Sequence, residues 1–208
     1  MPQKKLVIFD CDGVMFDSKN ANKKFYNHIL NFFGHPAMSA KELEYVHIHN
    51  VVDSIGHIFR HYPEDLDKAL DYRLEVDYAP FLDYIAMEPD LPGFLEFLKA
   101  KGCDMAISTN RTTTMEKILD IFDLGSYFGK VMTAASAPRP KPWPDALFEI
   151  MDHYNRFPDD AVYIGDSIVD EEHAENAGVD LVAFKNPELK ADYHVSSFTE
   201  LSALSIFE

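Results

Sequence analysis

The feature that most restricts the fold is a strand-poor stretch from about Asp17 to Glu88. It lies between a short apolar run, Leu6 to Asp10, and a second part of the chain in which strand and helix patterns alternate. Loops longer than about 15 residues with no structure of their own are uncommon in compact domains, so a stretch this long must itself fold. Its apolar residues recur at helical spacing. Phe25, Ile29, Phe32 and Phe33 form one stripe, Val51, Ile55, Ile58 and Phe59 a second, and Leu70, Leu74, Tyr78, Phe81, Leu82 and Ile85 a third. The stretch reads as a helical insertion.

After it, strand candidates run from Met105 to Thr109, Lys130 to Ala134, Val162 to Gly165 and Leu181 to Phe184. Helical patterns separate them: Gly93 to Lys101 between Pro92 and Gly102, Thr113 to Phe122, Asp145 to Tyr154 behind Pro144, and Asp170 to Ala177 before Gly178. Strands joined through helices of this length pair in parallel by crossover connections. The expected class is α/β with a parallel sheet.

Charge narrows the partners. Thirty-five acidic against 19 basic residues give a net charge of -16, which argues against nucleic acid or an anionic membrane surface, because binding to phosphate backbones needs clustered Lys and Arg. No apolar run approaches the roughly 20 residues of a membrane-spanning helix. Leu6 to Phe9 is too short for a targeting segment, so a cytoplasmic location is expected. Two cysteines, Cys11 and Cys103, cannot build a metal finger and read as reduced thiols. Strand alternation should turn Cys11 away from its neighbours Asp10 and Asp12.

Those two aspartates begin a series. Side chains two apart on a strand share a side, so both carboxylates can address one small volume at the strand's end. Such closeness requires a bound cation or a retained proton. Thr109 and Asn110 end a later strand, Arg139-Pro140-Lys141-Pro142 follows another, and Gly165-Asp166-Ser167 with Asp170 closes a fourth. In an open parallel sheet, ligands sit at that edge.

Taken together, Asp10-x-Asp12-Gly13-Val14, Thr109-Asn110, Lys141-Pro142-x-Pro144-Asp145 and Gly165-Asp166-Ser167-x-x-Asp170 resemble the four motifs of the haloacid dehalogenase-like hydrolase superfamily. The pattern is most similar to its helical-cap phosphatases of the phosphoglycolate phosphatase and phosphomutase type, and it covers the chain from residue 6 to about residue 185. The resemblance implies a Rossmann-like three-layer sandwich with a central parallel sheet, built from residues 1–16 and 89–208, and a helical cap from 17–88. It also implies a Mg²⁺-dependent phosphatase that acts on a small phosphorylated metabolite through an aspartyl-phosphate.

In that scheme Asp10 is the nucleophile, since a carboxylate can attack phosphorus once charge is cancelled around it. Asp12 is the general acid and base, and its carboxyl starts protonated beside an ionised Asp10. Asp10, the Asp12 backbone carbonyl and Asp166 hold magnesium; Asp170 stands behind them or is an alternative ligand. Thr109, favoured over Ser108 by strand phase, binds the phosphoryl group with the Asn110 amide. Lys141 bridges nucleophile and phosphate, with Arg139 as a possible aid.

Other outcomes stay open at this level. A phosphomutase of the beta-phosphoglucomutase type shares the first half-reaction, and a non-catalytic phosphate-binding module could use the same fold. Metal-free dehalogenation is disfavoured because it needs no acid where Asp12 stands. Phosphonate hydrolysis through a lysine Schiff base is disfavoured because Glu42 to Phe59 contains no lysine. His57 and His61, at helical i, i+4 spacing, lack a third ligand for zinc. His47, His49 and Arg60 are expected to shape the substrate pocket.

Overall fold

The computed structural model describes residues 3–207. In chain order the strands are β1 (Leu6–Phe9), β2 (Phe16–Asp17), β3 (Ala86–Met87), β4 (Asp104–Thr109), β5 (Lys130–Thr133), β6 (Ala161–Gly165), β7 (Asp180–Phe184) and β8 (Tyr193–Val195). The helices are α1 (Lys19–Phe32), α2 (Ala40–Ile48), α3 (Val51–Ile58), α4 (Leu66–Glu75), α5 (Ala79–Leu82), α6 (Leu91–Lys101), α7 (Met115–Ile121), α8 (Asp145–Tyr154), α9 (Ile168–Ala177) and α10 (Phe198–Ser202). By contacts the chain divides into two compact units, residues 1–16 with 87–208, and residues 17–86.

The larger unit carries a six-stranded sheet in the order β5-β4-β1-β6-β7-β8. Its five pairings are all parallel. β1 lies between β4 and β6, so the chain leaves the sheet's centre in opposite directions on its two sides. That is a topological switch point, where connections diverge and leave a crevice at the strands' carboxyl ends.

Alternation along β1 sorts the two faces. Leu6 and Ile8 join Leu147, Ile150, Tyr163 and Ala174 in a buried cluster that packs α8 and α9 onto one face. Phe9 points to the other, where its ring meets Phe94 at 6.1 Å, Phe128 at 5.7 Å and Phe198 at 6.2 Å. The sheet is thus covered on both sides, as a parallel sheet requires. Continuing the phase, Asp10 belongs with Leu6 and Ile8, on the side of Tyr163. Cys11 is fully buried and Cys103 is also a free thiol, as their flanking strands imply.

The smaller unit is all-helical across α1 to α5 and has its own core of Phe25, Ile29, Val46, Ile55, Ile58, Phe59 and Ala69. The first two sequence stripes correspond to α1 and α3. The third divides into α4 and α5, with Pro80 in the first turn of the second helix. The additional helix α2 starts at a capping box in which Ser39 and Glu42 exchange hydrogen bonds with each other's backbone N–H groups. Among the described residues, no helix is long and apolar enough to cross a membrane.

Candidate active site

The expected site residues arrive at one edge from separate strands. Asp10 and Asp12 follow β1, Thr109 ends β4 with Asn110 just beyond, Asp166 and Asp170 follow β6, and Lys141 lies on the loop after β5. Asp10, Asp166 and Asp170 each place a carboxylate oxygen so that the three lie within 4.8 Å of one another.

Lys141 organises this group. Its ammonium is 2.8 Å from Asp10 Oδ1 and 2.7 Å from Asp170 Oδ1, and it donates to the Tyr163 hydroxyl at 3.0 Å. An ammonium has three protons, and these contacts use all three. The loop that carries it is fixed by Asn110: the Lys141 backbone N–H donates to Asn110 Oδ1 at 3.0 Å, and Asn110 Nδ2 donates to the Lys141 carbonyl at 3.5 Å. The Asn110 side chain therefore sets the position of Lys141.

Asp170 is saturated. Its Oδ1 receives Lys141 and the Tyr163 hydroxyl at 2.8 Å. Its Oδ2 receives the Ser167 hydroxyl at 2.6 Å, the Ser167 N–H at 3.1 Å and the Asp166 N–H at 3.2 Å. Five donors meet a group with about four lone-pair sites. The Ser167–Asp170 exchange is also the capping box that opens α9. Asp170 is thereby a buried counter-charge for Lys141 and a poor candidate for direct metal contact.

Two glycines make room for these acids. A Cβ on Gly165 would stand 2.3 Å from the Asp170 Cβ, and one on Gly13, whose φ is +82°, would stand 2.0 Å from Asp166 Oδ2. Asn186 Nδ2 donates to the Asp166 carbonyl at 2.8 Å and steadies that turn.

Electrostatics follow from burial. Loss of water raises Asp10 from its ordinary 3.8 to about 7 against the pull of Lys141, with Asp170 and Asp12 pushing the same way as burial. Burial, followed by the charges of Asp170 and Asp10, likewise raises Asp166 well above the usual carboxylate range. For Asp170, burial is outweighed by Lys141, Ser167 and Tyr163, which hold it below its ordinary value. Lys141 is also buried, but Asp10 and Asp170 keep it above its ordinary 10.5. One ammonium faces three acids, so full ionisation would leave an excess of two negative charges.

That excess of negative charge calls for a cation. A cluster of hard oxygen donors with uncompensated negative charge suits a divalent cation of the magnesium type. Asp10 and Asp166 are the carboxylates with capacity to hold it. Among the described residues this cluster contains no histidine.

Asp12 stands apart from the cluster. Arg111 Nη2 lies 2.6 Å from Asp12 Oδ1, and both side chains are largely buried, at 7% and 15% exposure. Thr109 is buried, and its Oγ1 accepts from the Arg111 N–H at 3.2 Å. Ser108 points the other way, to His173 Nε2 at 2.9 Å. His173 is fully enclosed, and burial lowers it to about 3, so it adds no positive charge behind Lys141.

Arg139 is engaged elsewhere. It forms a two-pronged ion pair with Asp145, its Nη2 2.8 Å from Oδ2, and lies 4.1 Å from the centre of the Trp143 ring. In the helical unit, Tyr45 is stacked between His49 and His57, each 3.8 Å away. His47 lies 3.4 Å from Asn22 Nδ2, Arg60 pairs with Glu42 at 2.7 Å, and His61 falls beyond the end of α3.

Sequence reasoning missed Arg111 and Tyr163. Arg111 directly follows Thr109-Asn110, so its place beyond a strand end was the available signal. Tyr163 looked like an ordinary apolar strand residue, and only its register opposite Ile8 reveals which face it joins.

The fold is an open parallel sheet with acids gathered at its switch point and a helical insertion after the first strand. A family model described as haloacid dehalogenase-like hydrolase matches residues 7–184, and the chain belongs to that family. Among solved structures, it is similar to a haloacid dehalogenase-superfamily hydrolase, subfamily IA, variant 1, from Geobacter sulfurreducens. The two share 37% identity, with 95% of this chain and 94% of that one covered and a TM-score of 0.77. Phosphoglycolate phosphatase of Aquifex aeolicus is 28% identical over 84% of this chain and 81% of its own length. The Rhodobacter capsulatus enzyme of the same name is 28% identical over 95% and 94%.

Proposed function

We propose that this chain is a magnesium-dependent phosphatase that hydrolyses a small phosphorylated metabolite, of the phosphoglycolate or sugar-phosphate kind, through an aspartyl-phosphate on Asp10. The observation that carries the reading is Lys141 joined to both Asp10 and Asp170, because it presents Asp10 as a fixed, partly neutralised nucleophile. The names of the two phosphoglycolate phosphatases above support the substrate class.

A dianionic phosphate ester repels an attacking carboxylate, so catalysis here consists of positioning and charge cancellation. Lys141 orients Asp10 and lowers the local negative charge. Asp170, anchored by Tyr163 and Ser167, keeps Lys141 in place. Magnesium, held by Asp10, Asp166 and the Asp12 backbone carbonyl, would supply the remaining positive charge around the phosphoryl oxygens. Thr109 Oγ1 and the Asn110 backbone N–H would bind the transferring group.

In the first step an Asp10 oxygen bonds to phosphorus and the ester P–O bond breaks. Asp12 delivers a proton to the leaving oxygen. In the second, Asp12 takes a proton from water as that water attacks phosphorus, which frees Asp10 and inorganic phosphate. Residues 17–86 would provide selectivity for the leaving group, with His47, His49 and Arg60 as candidates. The buried reduced thiols suit a reducing compartment such as the cytoplasm.

The test is a panel of phosphorylated metabolites with Mg²⁺. Inorganic phosphate release that EDTA abolishes and Asp10→Asn eliminates is expected. Transfer of the phosphoryl group between positions on a sugar, without net release, would favour a mutase instead.

A further inference from the structure

Each acid assigned a chemical step has its own cation. Lys141 serves Asp10, and a second, independent contact serves Asp12: the Arg111 guanidinium, 2.6 Å from its carboxylate. Arg111 is itself held at several points. Its Nη1 donates to Thr114 Oγ1 at 3.0 Å, its carbonyl accepts from the Ala134 N–H at 2.9 Å, and its own N–H donates to Thr109 Oγ1. An arginine that is only 9% exposed and is tied down in this way contributes little to solubility.

We propose that Arg111 is a positioning residue that fixes the Asp12 carboxyl in one orientation, apart from the Asp10–Asp166–Asp170 cluster. The inference rests on the reading of Asp12 as the acid and base. The clamp restricts the Asp12 rotamer and offsets repulsion from Asp10 two residues away. The planar fork of arginine suits the role because it holds the carboxylate and Thr114 at once. Through Thr109, the same residue also relates the proton donor to the phosphoryl-binding hydroxyl.

Leaving-group chemistry provides the test. An alkyl phosphate needs a proton on its leaving oxygen, whereas p-nitrophenyl phosphate expels a stabilised anion that does not. The ratio kcat/KM reports steps through loss of the leaving group. It would be measured on both esters for Arg111→Gln, Arg111→Lys, Asp12→Asn and the Arg111→Gln/Asp12→Asn pair.

Arg111→Gln should lose at least about tenfold more on the alkyl ester than on the aryl ester, within the usual range for a displaced proton donor. Asp12→Asn should show the same selectivity more strongly, and the double variant should be no worse than Asp12→Asn alone. Arg111→Lys should recover part of the loss; if Arg111→Gln does not fold, the lysine variant is read for the same selective defect.

Equal losses on both esters, or losses that add in the double variant, would overturn the proposal and make Arg111 a phosphate-binding or purely structural residue. Selectivity in Asp12→Asn but not in either Arg111 variant would overturn it alone. Absence of selectivity in Asp12→Asn would overturn the acid–base reading beneath it, and the clamp with it.

Discussion

The Lys141 ammonium lies 2.7 Å from the carboxylate of Asp170, a residue with no solvent exposure at all. This contact turns a loop lysine into part of the core. It also gives Asp10 a cation that cannot drift, since the far side of Lys141 is anchored before any substrate arrives. Removing either partner of a buried pair is costly because the other remains charged and dry.

Tyr163 should be the most informative neighbour to change. Tyr163→Phe keeps the ring, which is fully buried, but removes an acceptor for Lys141 and a donor to Asp170. Leaving buried polar partners unmet costs about 1–3 kcal/mol. Urea unfolding should show a loss in that range, and kcat should fall as Lys141 and Asp10 lose their alignment. A variant with unaltered stability and turnover would show that the hydroxyl has no part in the arrangement.

Gly165→Ala tests the packing that admits Asp170. The added methyl would lie 2.3 Å from the Asp170 Cβ, which cannot move without shifting the start of α9. Overpacking of this kind costs about 1–3 kcal/mol. Reduced thermal stability together with reduced phosphatase activity is expected, and a crystal structure should show Asp170 displaced from Lys141. An alanine accommodated with Asp170 in place would refute this.

Metal and pH should act together on stability. Asp10 rises on folding from 3.8 to about 7, so between those values the folded protein keeps a proton that the unfolded chain releases. Its contribution is complete below 3.8 and is lost as pH climbs through about 7, which destabilises the metal-free protein across that window. Mg²⁺ competes with that proton. The rise in Tm on adding Mg²⁺ should therefore be larger at pH 8 than at pH 5, as measured by differential scanning calorimetry. An equal rise at both values would place the ion away from Asp10.

Much of this was legible in the chain because the dominant signals were local. Pro144 before an apolar-periodic segment located α8 at Asp145–Tyr154, and glycines 102 and 178 marked helix ends where the backbone is left-handed. The class of fold followed from alternation. Other elements depended on tertiary context. Strand β8, Tyr193–Val195, is only three residues long and contains an exposed histidine, so alternation had too little length to register. Helix α2 buries only Val46, which leaves no apolar stripe to read.

The site shows the same division. Acids, hydroxyl and lysine declared themselves by lying beyond strand ends, but their partners did not. The Asn110 side chain holds the Lys141 backbone 31 positions away, and Arg111 reaches Asp12 across 99. Such pairings come from strand order, with β1 beside β4, and no local pattern encodes them.

In the proposed mechanism Asp10 receives the phosphoryl group. The most direct measurement is rapid acid quenching of the protein during turnover, followed by mass spectrometry of the peptide containing Asp10. A phosphorylated Asp10 should appear with substrate and Mg²⁺ and disappear as substrate is exhausted. Phosphate found on another residue, or full turnover by Asp10→Asn with no covalent species, would contradict it.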